Sequence, residues 1–160
     1  MSAEIRKQMS LESLQRLDVW RKATAFAVEI NREVLPLLPP EEKWAMAQQL
    51  RRASQCIPAN IAEGNGRYYY QDNIRFCYIA RGSLQETISF LSLAFELDYL
   101  PKELFDKLFD HGNDISRLIN GYTAYLKKSK QGANDPGAQH SIKEPPDYYQ
   151  IDYEEETSEE

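Results

Sequence analysis

Residues 55–67, QCIPANIAEGNGR, hold a proline, an amide and a carboxylate within an otherwise apolar helical pattern. Enzymes use carboxylates as general acids and bases, and the carboxylates that could be catalytic here are Glu63 and, on the next helix, Glu86. The Gly-Asn-Gly-Arg end of the stretch lacks the glycine spacing and the Lys-Ser/Thr ending of a phosphate loop. Two interpretations follow: Pro58, Asn60 and Glu63 build a site, or they build a packing arrangement.

The titratable residues elsewhere in the chain favour the second interpretation. Helical bundles hold di-iron centres through Glu-x-x-His pairs, but neither His111 nor His140 has a glutamate three residues before it. No Ser, Cys or Thr stands with a histidine and a carboxylate in a recognisable catalytic pattern. His111 lies on an apolar seam, where a core or interface histidine is more common than a ligand. We therefore predict no enzyme activity, no metal and no cofactor.

The elements that would position these residues are helices. Four segments have helical periodicity, and no segment has convincing strand alternation. Short connections make sequential helices antiparallel. The pattern predicts an all-α, up-down-up-down four-helix bundle whose helices span residues 13–35, 41–63, 72–97 and 101–126.

Charge divides the chain into regions. The net charge is −6, and from Lys127 onward four lysines face nine acidic residues. We predict a flexible N-terminus (1–12), a bundle domain (13–126) and a disordered acidic tail (127–160). The tail is either a solubilising extension or a competitor for a basic surface on its own protein or on a partner.

Two cysteines and the hydropathy profile indicate the compartment. Cys56 and Cys77 form neither a disulfide framework nor a CxxC motif. The chain has no apolar run long enough for a signal peptide or a membrane span. We expect a cytoplasmic protein.

The third helical segment has two neighbouring apolar seams at seven-residue spacing. An apolar arc of this width is more than a surface helix needs, and a bundle of four helices has no central helix. The arc therefore predicts self-association. The first seam is Cys77, Ala80, Leu84, Thr87, Leu91 and Ala94, and the second is Phe76, Ile79, Ser83, Glu86, Phe90, Leu93 and Leu97.

Polar residues interrupt the second seam opposite polar residues of the preceding helix. If the turn centres on Tyr69, antiparallel pairing brings Glu86 level with Arg52, Ser83 with Gln55, Tyr78 with Asn60 and Arg75 with Glu63. An ionised Glu86 on an apolar seam would cost several kcal/mol unless it is paired. We predict that Asn60, Glu63, Ser83 and Glu86 form a structural polar cluster.

Two further expectations concern the backbone of this hairpin. Pro58 removes one N–H and should bend the helix. Gly64 and Gly66 should let the chain leave the helix through positive φ.

Five arginines follow the same hairpin and are the candidate nucleic-acid contacts, since such affinity depends largely on Lys and Arg neutralising phosphates. Their alternative role is structural or solvated. Three consecutive tyrosines, Tyr68 to Tyr70, could stack on bases, or pack against a neighbouring subunit. The candidate arginines are Arg51, Arg52, Arg67, Arg75 and Arg81.

Three separated motifs, "LDVWRKA" (17–23), "QLRRASQCIPANIAEGNGR" (49–67) and "YIARGSLQETISFLSLAFELDYL" (78–100), resemble the 23S rRNA intervening-sequence protein family. The resemblance covers residues 14–126 and excludes the tail. The chain departs from the family pattern at Tyr69 and Asn73, so Asp72 could cap the third helix instead. The positions that match the recurrent pattern are Arg51, Arg52, Pro58, Asn60, Glu63, Gly64, Arg67, Arg75, Gly82, Ser83 and Glu86.

The resemblance implies an antiparallel four-helix bundle that assembles as a ring-like homopentamer without known catalytic activity. Similar members, the accessory proteins of diversity-generating retroelements, have basic surfaces that bind nucleic acid and a reverse transcriptase. The chain is thus expected to be a non-enzymatic oligomeric adaptor that contacts RNA or DNA, or a nucleic-acid enzyme such as a reverse transcriptase. The alternative is a protein-binding scaffold without nucleic-acid affinity.

Overall fold

The computed structural model describes residues 11–134, and these residues are helical with no strand. The all-α prediction is therefore confirmed for this part of the chain. The predictions for residues 1–10 and 135–160 lie outside the described residues. The helices are α1 (Leu11–Gln15), α2 (Asp18–Glu29), α3 (Met46–Asn65), α4 (Tyr70–Glu96) and α5 (Lys102–Ser129).

The first predicted helix is divided into several pieces. A break at residues 16–17 separates α1 from α2, and α2 continues as a π-helical turn, Ile30–Val34, and a 3-10 turn, Leu35–Leu37. Pro36 has no N–H to continue the α-helical hydrogen-bond ladder, which is consistent with the irregular end. A further 3-10 turn, Pro40–Glu42, precedes α3, so α3 begins five residues later than predicted.

The four long helices pack in a closed cycle. Helix α2 contacts α3, α3 contacts α4, α4 contacts α5, and α5 returns to α2. Between α3 and α4, early residues of one helix meet late residues of the other: Arg52 pairs with Glu86, whereas Gly64 approaches Asn73. These contacts fit the predicted bundle, and its complete up-down-up-down order stays a prediction.

Helix α4 contributes one fully buried seam and one that is open on one side. All six residues of the predicted first seam are buried. The second seam lies on the flank of α4 that faces α3, where Ile79, Leu93 and Leu97 remain 44%, 47% and 44% exposed. Within residues 11–134, a single copy of the bundle therefore leaves an apolar stripe along α4 that no other helix covers.

The turn between α3 and α4 packs against the end of α5. Helix α5 runs to Ser129, three residues beyond the predicted domain end at 126. The backbone N–H of Tyr70 then donates to the carbonyl of Gln131 at 3.2 Å. Gly132, at φ +78°, fits against the Tyr69 ring, where a Cβ would lie 2.6 Å from Cδ1. Tyr69 and Tyr70 thus pack against their own chain.

Candidate nucleic-acid interface

The polar stretch of residues 55–67 forms the last turns of α3 and the turn that follows. The helix continues through Pro58, and the Asn60 amide donates to the Cys56 carbonyl of its own helix at 2.7 Å. The pairing of Asn60 with Tyr78 that the hairpin register suggested is not the one observed. On α4, the Ser83 hydroxyl likewise donates within its own helix, to the Ile79 carbonyl at 3.2 Å.

Gly64 allows α3 and α4 to pack closely, and the chain does not leave the helix there through a positive φ. It lies inside α3, and Gly66 has φ −75°, so the expectation of positive φ at these two positions was wrong. A Cβ on Gly64 would stand 2.7 Å from the Asn73 side-chain oxygen and 2.9 Å from the Phe76 Cβ. Glycine is needed here because α4 approaches α3 too closely for a larger residue.

Asn73 connects the hairpin to α5 through buried polar contacts. Its side chain donates to the Tyr122 hydroxyl at 3.0 Å, and the Cys77 thiol lies 3.8 Å from its carbonyl oxygen. Burial raises the pKa of Tyr122 to about 12 and the pKa of Cys77 to about 11. Both groups are therefore neutral at physiological pH, and Cys77 is a poor nucleophile.

Glu86 does pair with Arg52, as predicted, at 2.8 Å. The pair is not buried, however, because the Arg52 side chain is 61% exposed and the Glu86 side chain 38% exposed. The expectation that Glu86 is a buried charge was therefore wrong, since the seam that carries it is open to solvent. An exposed pair of this kind contributes about 1 kcal/mol or less.

Glu63 pairs with Arg67, four residues later on the same side of the hairpin, at 2.8 Å. The predicted Glu63–Arg75 pair is not formed. The Arg67 guanidinium also lies 5.2 Å from the centroid of the Phe76 ring. Asn60, Glu63 and Ser83 thus make contacts four residues away in sequence, Glu86 contacts Arg52 of α3, and none of these contacts joins two of the four.

The remaining candidate arginines are on solvent-facing positions of α3 and α4. Arg51 and Arg75 are exposed, and neither has an ion-pair partner within residues 11–134. Arg81 is half-buried, stacks 4.9 Å from the centroid of the Tyr78 ring and contacts Asn120 of α5 at 3.4 Å.

Four of the five arginines fall into two groups along the hairpin, and Arg81 lies between them on α4. Arg51 and Arg52 stand near the start of α3, and Arg67 follows its end, about 22 Å away at 1.5 Å per residue. Arg67 and Arg75 share the end of the bundle where Tyr70 contacts Gln131. The structure therefore does not bring all five together.

The end that carries Arg67 and Arg75 also carries three lysines that were predicted to belong to the tail. Lys127 and Lys128 lie in the last turn of α5, and Lys130 follows it. Their clustering was visible in the sequence, but only the Tyr70–Gln131 contact places them beside the α3–α4 turn. We call residues 63–75 and 122–134 together the basic end.

The two ends of the molecule have opposite charge. The basic end has five Lys and Arg residues against Glu63 and Asp72. Residues 11–21, which reach it through a contact between Ser13 and Asn65, add two positive and two negative charges. Residues 29–49 and 96–110 form the opposite, acidic end, with four basic and nine acidic residues.

His111 lies on the surface near the acidic end, so the expectation of a core position was wrong, and the interface position stays a prediction. Its Nδ1 is 2.9 Å from the Glu29 carboxylate, which also pairs with Lys107. Burial would raise the pKa of Glu29, but hydrogen bonds from Lys107 and His111 outweigh it and lower this pKa. Within residues 11–134, no group of three or more His, Cys, Asp or Glu residues could hold a metal ion.

No helix in the described part of the chain is both long and apolar enough to cross a membrane.

Comparisons with known proteins agree with this architecture. A family model described as 23S rRNA-intervening sequence protein matches residues 15–121. A crystal structure of a protein of unknown function from the S23 ribosomal protein family of Bacteroides thetaiotaomicron is 27% identical, with a TM-score of 0.61. The match covers 66% of this chain and 97% of that chain. No curated protein matches the sequence.

Proposed function

The chain belongs to the 23S rRNA-intervening sequence protein family, and we propose that it is a non-enzymatic, oligomeric adaptor that contacts nucleic acid. The solved relative is itself described as a protein of unknown function, so the family supplies a fold and not an activity. The proposed assembly is a ring-like homopentamer of up-down-up-down four-helix bundles. A nucleic-acid enzyme such as a reverse transcriptase is the proposed protein partner.

The observation that carries this proposal is the combination of cations and aromatic rings at the basic end. Lysine and arginine side chains neutralise phosphates, while exposed rings offer stacking surfaces for bases. Arg75 and Lys128 are exposed there, and Tyr125, one turn before Lys128 on α5, is 64% exposed. Tyr68 and Tyr69, which meet edge to face at 5.2 Å, are half-buried nearby.

Oligomerisation would give a small patch useful affinity. The net positive charge of one basic end is modest, so a single copy would bind phosphates weakly. Several copies in one ring would present several such ends, and linked sites bind with much higher avidity than one site. The exposed stripe of Ile79, Leu93 and Leu97 is the apolar surface that supports self-association.

The test is binding of the full chain to a structured RNA and to a duplex DNA at 50 mM and 200 mM salt. We expect affinity that falls steeply with salt, because phosphate contacts release counterions. The double variant Arg75→Glu/Lys128→Glu should weaken binding at least about tenfold. Arg51→Glu tests the separate group of arginines at the start of α3.

A matched charge reversal at the opposite end is the control. Lys43→Glu/Lys102→Glu changes the net charge by the same amount, at exposed positions of the acidic end. Equal loss in both double variants would point to a general charge effect and not to a site. Absence of binding to either nucleic acid at 50 mM salt would refute the proposed nucleic-acid contact.

A second candidate function is a protein-binding scaffold without nucleic-acid affinity. Two of the five candidate arginines, Arg52 and Arg67, are engaged by Glu86 and Glu63, which favours structural roles for them. An oligomer that forms normally but does not bind nucleic acid would support this function.

A further inference from the structure

The described chain stops beside the basic end. Its last residues, Gly132 to Asn134, follow directly from the turn that packs on Tyr69. Residues 135–160 therefore start from the part of the bundle that carries Arg67, Arg75 and the three lysines. This placement depends on the tertiary contact between Tyr70 and Gln131.

The chemistry of the following sequence is complementary to that end. Residues 144–160 contain eight aspartates and glutamates and no lysine or arginine. Three tyrosines, Tyr148, Tyr149 and Tyr153, are spaced among them. Carboxylates pair with Lys and Arg, and arginine also stacks on aromatic rings, as Arg67 already does on Phe76.

We propose that the acidic segment 144–160 docks in cis on the basic end of its own bundle and covers the cations there. The nine residues 135–143 span up to about 30 Å when extended. Two helices side by side measure about 20 Å, so this connection reaches any part of the end surface. A short tether holds the segment at an effective concentration on the order of millimolar, which makes weak ion pairs sufficient.

The opposite end of the bundle does not compete for the segment. Its nine acidic residues against four basic ones repel a polyanionic peptide. The charge division of the bundle thus favours the basic end over the opposite end for this segment. Docking itself does not require nucleic acid, whereas competition with phosphates rests on the function proposed above.

Zero-length carbodiimide cross-linking of the full chain tests the docking, since it joins lysine amines to carboxylates in direct contact. Mass spectrometry should find residues 144–160 joined to Lys127, Lys128 or Lys130 at least about fivefold more often than to Lys43, Lys102 or Lys107. Raising the salt from 50 to 500 mM should reduce these products several-fold, because the contacts are ionic.

Two variants of the full chain separate docking from the proximity that the tether alone provides. Arg75→Glu adds no amine and removes none, so a several-fold fall in cross-links to the three lysines would show that a charge at the docking surface matters. Glu103→Arg, an exposed reversal at the acidic end, should leave the yield unchanged. Cross-link yields that change neither with the salt concentration nor with Arg75→Glu would overturn the proposal.

Mixing of ¹⁵N-labelled and unlabelled chains distinguishes docking in cis from docking on a second copy. Cross-links within one isotopic species are expected, and a predominance of mixed species would overturn the assignment in cis.

Competition is measured separately with the triple variant Glu154→Gln/Glu155→Gln/Glu156→Gln. It should bind structured RNA at least about threefold more tightly than the parent chain at 50 mM salt.

The two experiments fail independently. Salt-sensitive cross-links without RNA binding in any variant would retain the docked segment and refute the nucleic-acid function. RNA binding that is unchanged in the triple variant, together with unselective cross-links, would make residues 144–160 a solubilising extension and refute the docking.

Discussion

Arg52 and Glu86 form an ion pair at 2.8 Å between α3 and α4, and solvent reaches both side chains. Helix register decides which residues are level, whereas solvent access decides how much such a pair contributes to stability. Removing one member of a buried ion pair strongly destabilises the protein, because the other charge stays buried without a partner. An exposed ion pair contributes little to stability, because water screens the two charges.

We therefore expect Glu86→Ala to lower the free energy of unfolding by no more than about 1 kcal/mol. Urea denaturation of the variant and the parent protein measures this difference. The Arg52→Ala/Glu86→Ala double variant is the control, and it should be close to the single variant. A loss of about 3 kcal/mol or more for Glu86→Ala would mean that a subunit interface buries the pair.

Tyr122 makes the free energy of unfolding depend on alkaline pH. Burial raises its folded-state pKa from 10.0 to about 12, so the neutral phenol is favoured in the folded state. The stabilisation of the folded state by Tyr122 is complete below pH 10 and is lost as the pH rises towards 12. This loss lowers the free energy of unfolding by at most ~3 kcal/mol. Burial raises the pKa of Cys77 to about 11, which adds a similar loss that begins near pH 9.

Urea denaturation at several pH values between 8 and 12 measures this dependence, and Tyr122→Phe is the comparison. The variant loses the hydrogen bond with Asn73 and should be less stable at pH 8. Its stability should then fall less steeply than that of the parent between pH 10 and 12. Parallel curves would show that Tyr122 does not titrate as its buried position requires.

At the scale of the elements, α3 and α4 are held at a separation that Gly64 permits. Glycine in a helix interior is destabilising by roughly 0.5–1 kcal/mol relative to alanine, so an added methyl is favourable wherever there is space for it. A Cβ added to Gly82 of α4 would meet nothing within 4 Å, whereas one added to Gly64 would meet Asn73 at 2.7 Å. The two glycines form a matched pair.

We expect Gly64→Ala to destabilise the protein by about 1–3 kcal/mol, because the methyl overpacks the contact with Asn73 and Phe76. Gly82→Ala should be neutral or stabilising by up to about 1 kcal/mol. Thermal or urea unfolding of both variants and of the parent protein measures these differences in stability. A stable Gly64→Ala variant would contradict the close packing of α3 on α4.

At the scale of the whole molecule, the open second seam of α4 points to assembly. Ile79→Glu and Leu93→Glu place charges at sites that are nearly half exposed in one copy, so the bundle itself should keep its stability to within about 1 kcal/mol. The proposed oligomer should dissociate, because an unpaired charge would be buried in its interface.

Analytical ultracentrifugation of the two variants and of Gln85→Glu measures this effect. Gln85 is exposed on the polar face of the same helix and serves as the control. If all three variants sediment like the parent protein, the stripe of Ile79, Leu93 and Leu97 is not an interface. A parent protein that sediments as one copy would exclude self-association.

The separation of charge also belongs to the whole molecule. A nearly neutral set of folded residues conceals a basic end and an acidic end, because the helices bring distant segments of equal sign together. Residues 63–75 and 122–134 are far apart in the chain, and the Tyr70–Gln131 contact joins them. Net charge alone therefore does not reveal the basic end on which the proposed phosphate contact depends.

The sequence by itself determined the helices and the buried seam of α4, because a 3.6-residue period and the proline positions are local properties. Antiparallel register likewise placed Arg52 opposite Glu86. Only the tertiary structure decided that this pair is exposed, that Gly64 is a packing contact and that Lys127 to Lys130 adjoin Arg67 and Arg75. Those facts depend on distances between helices and on solvent access, which the order of residues along one helix does not contain.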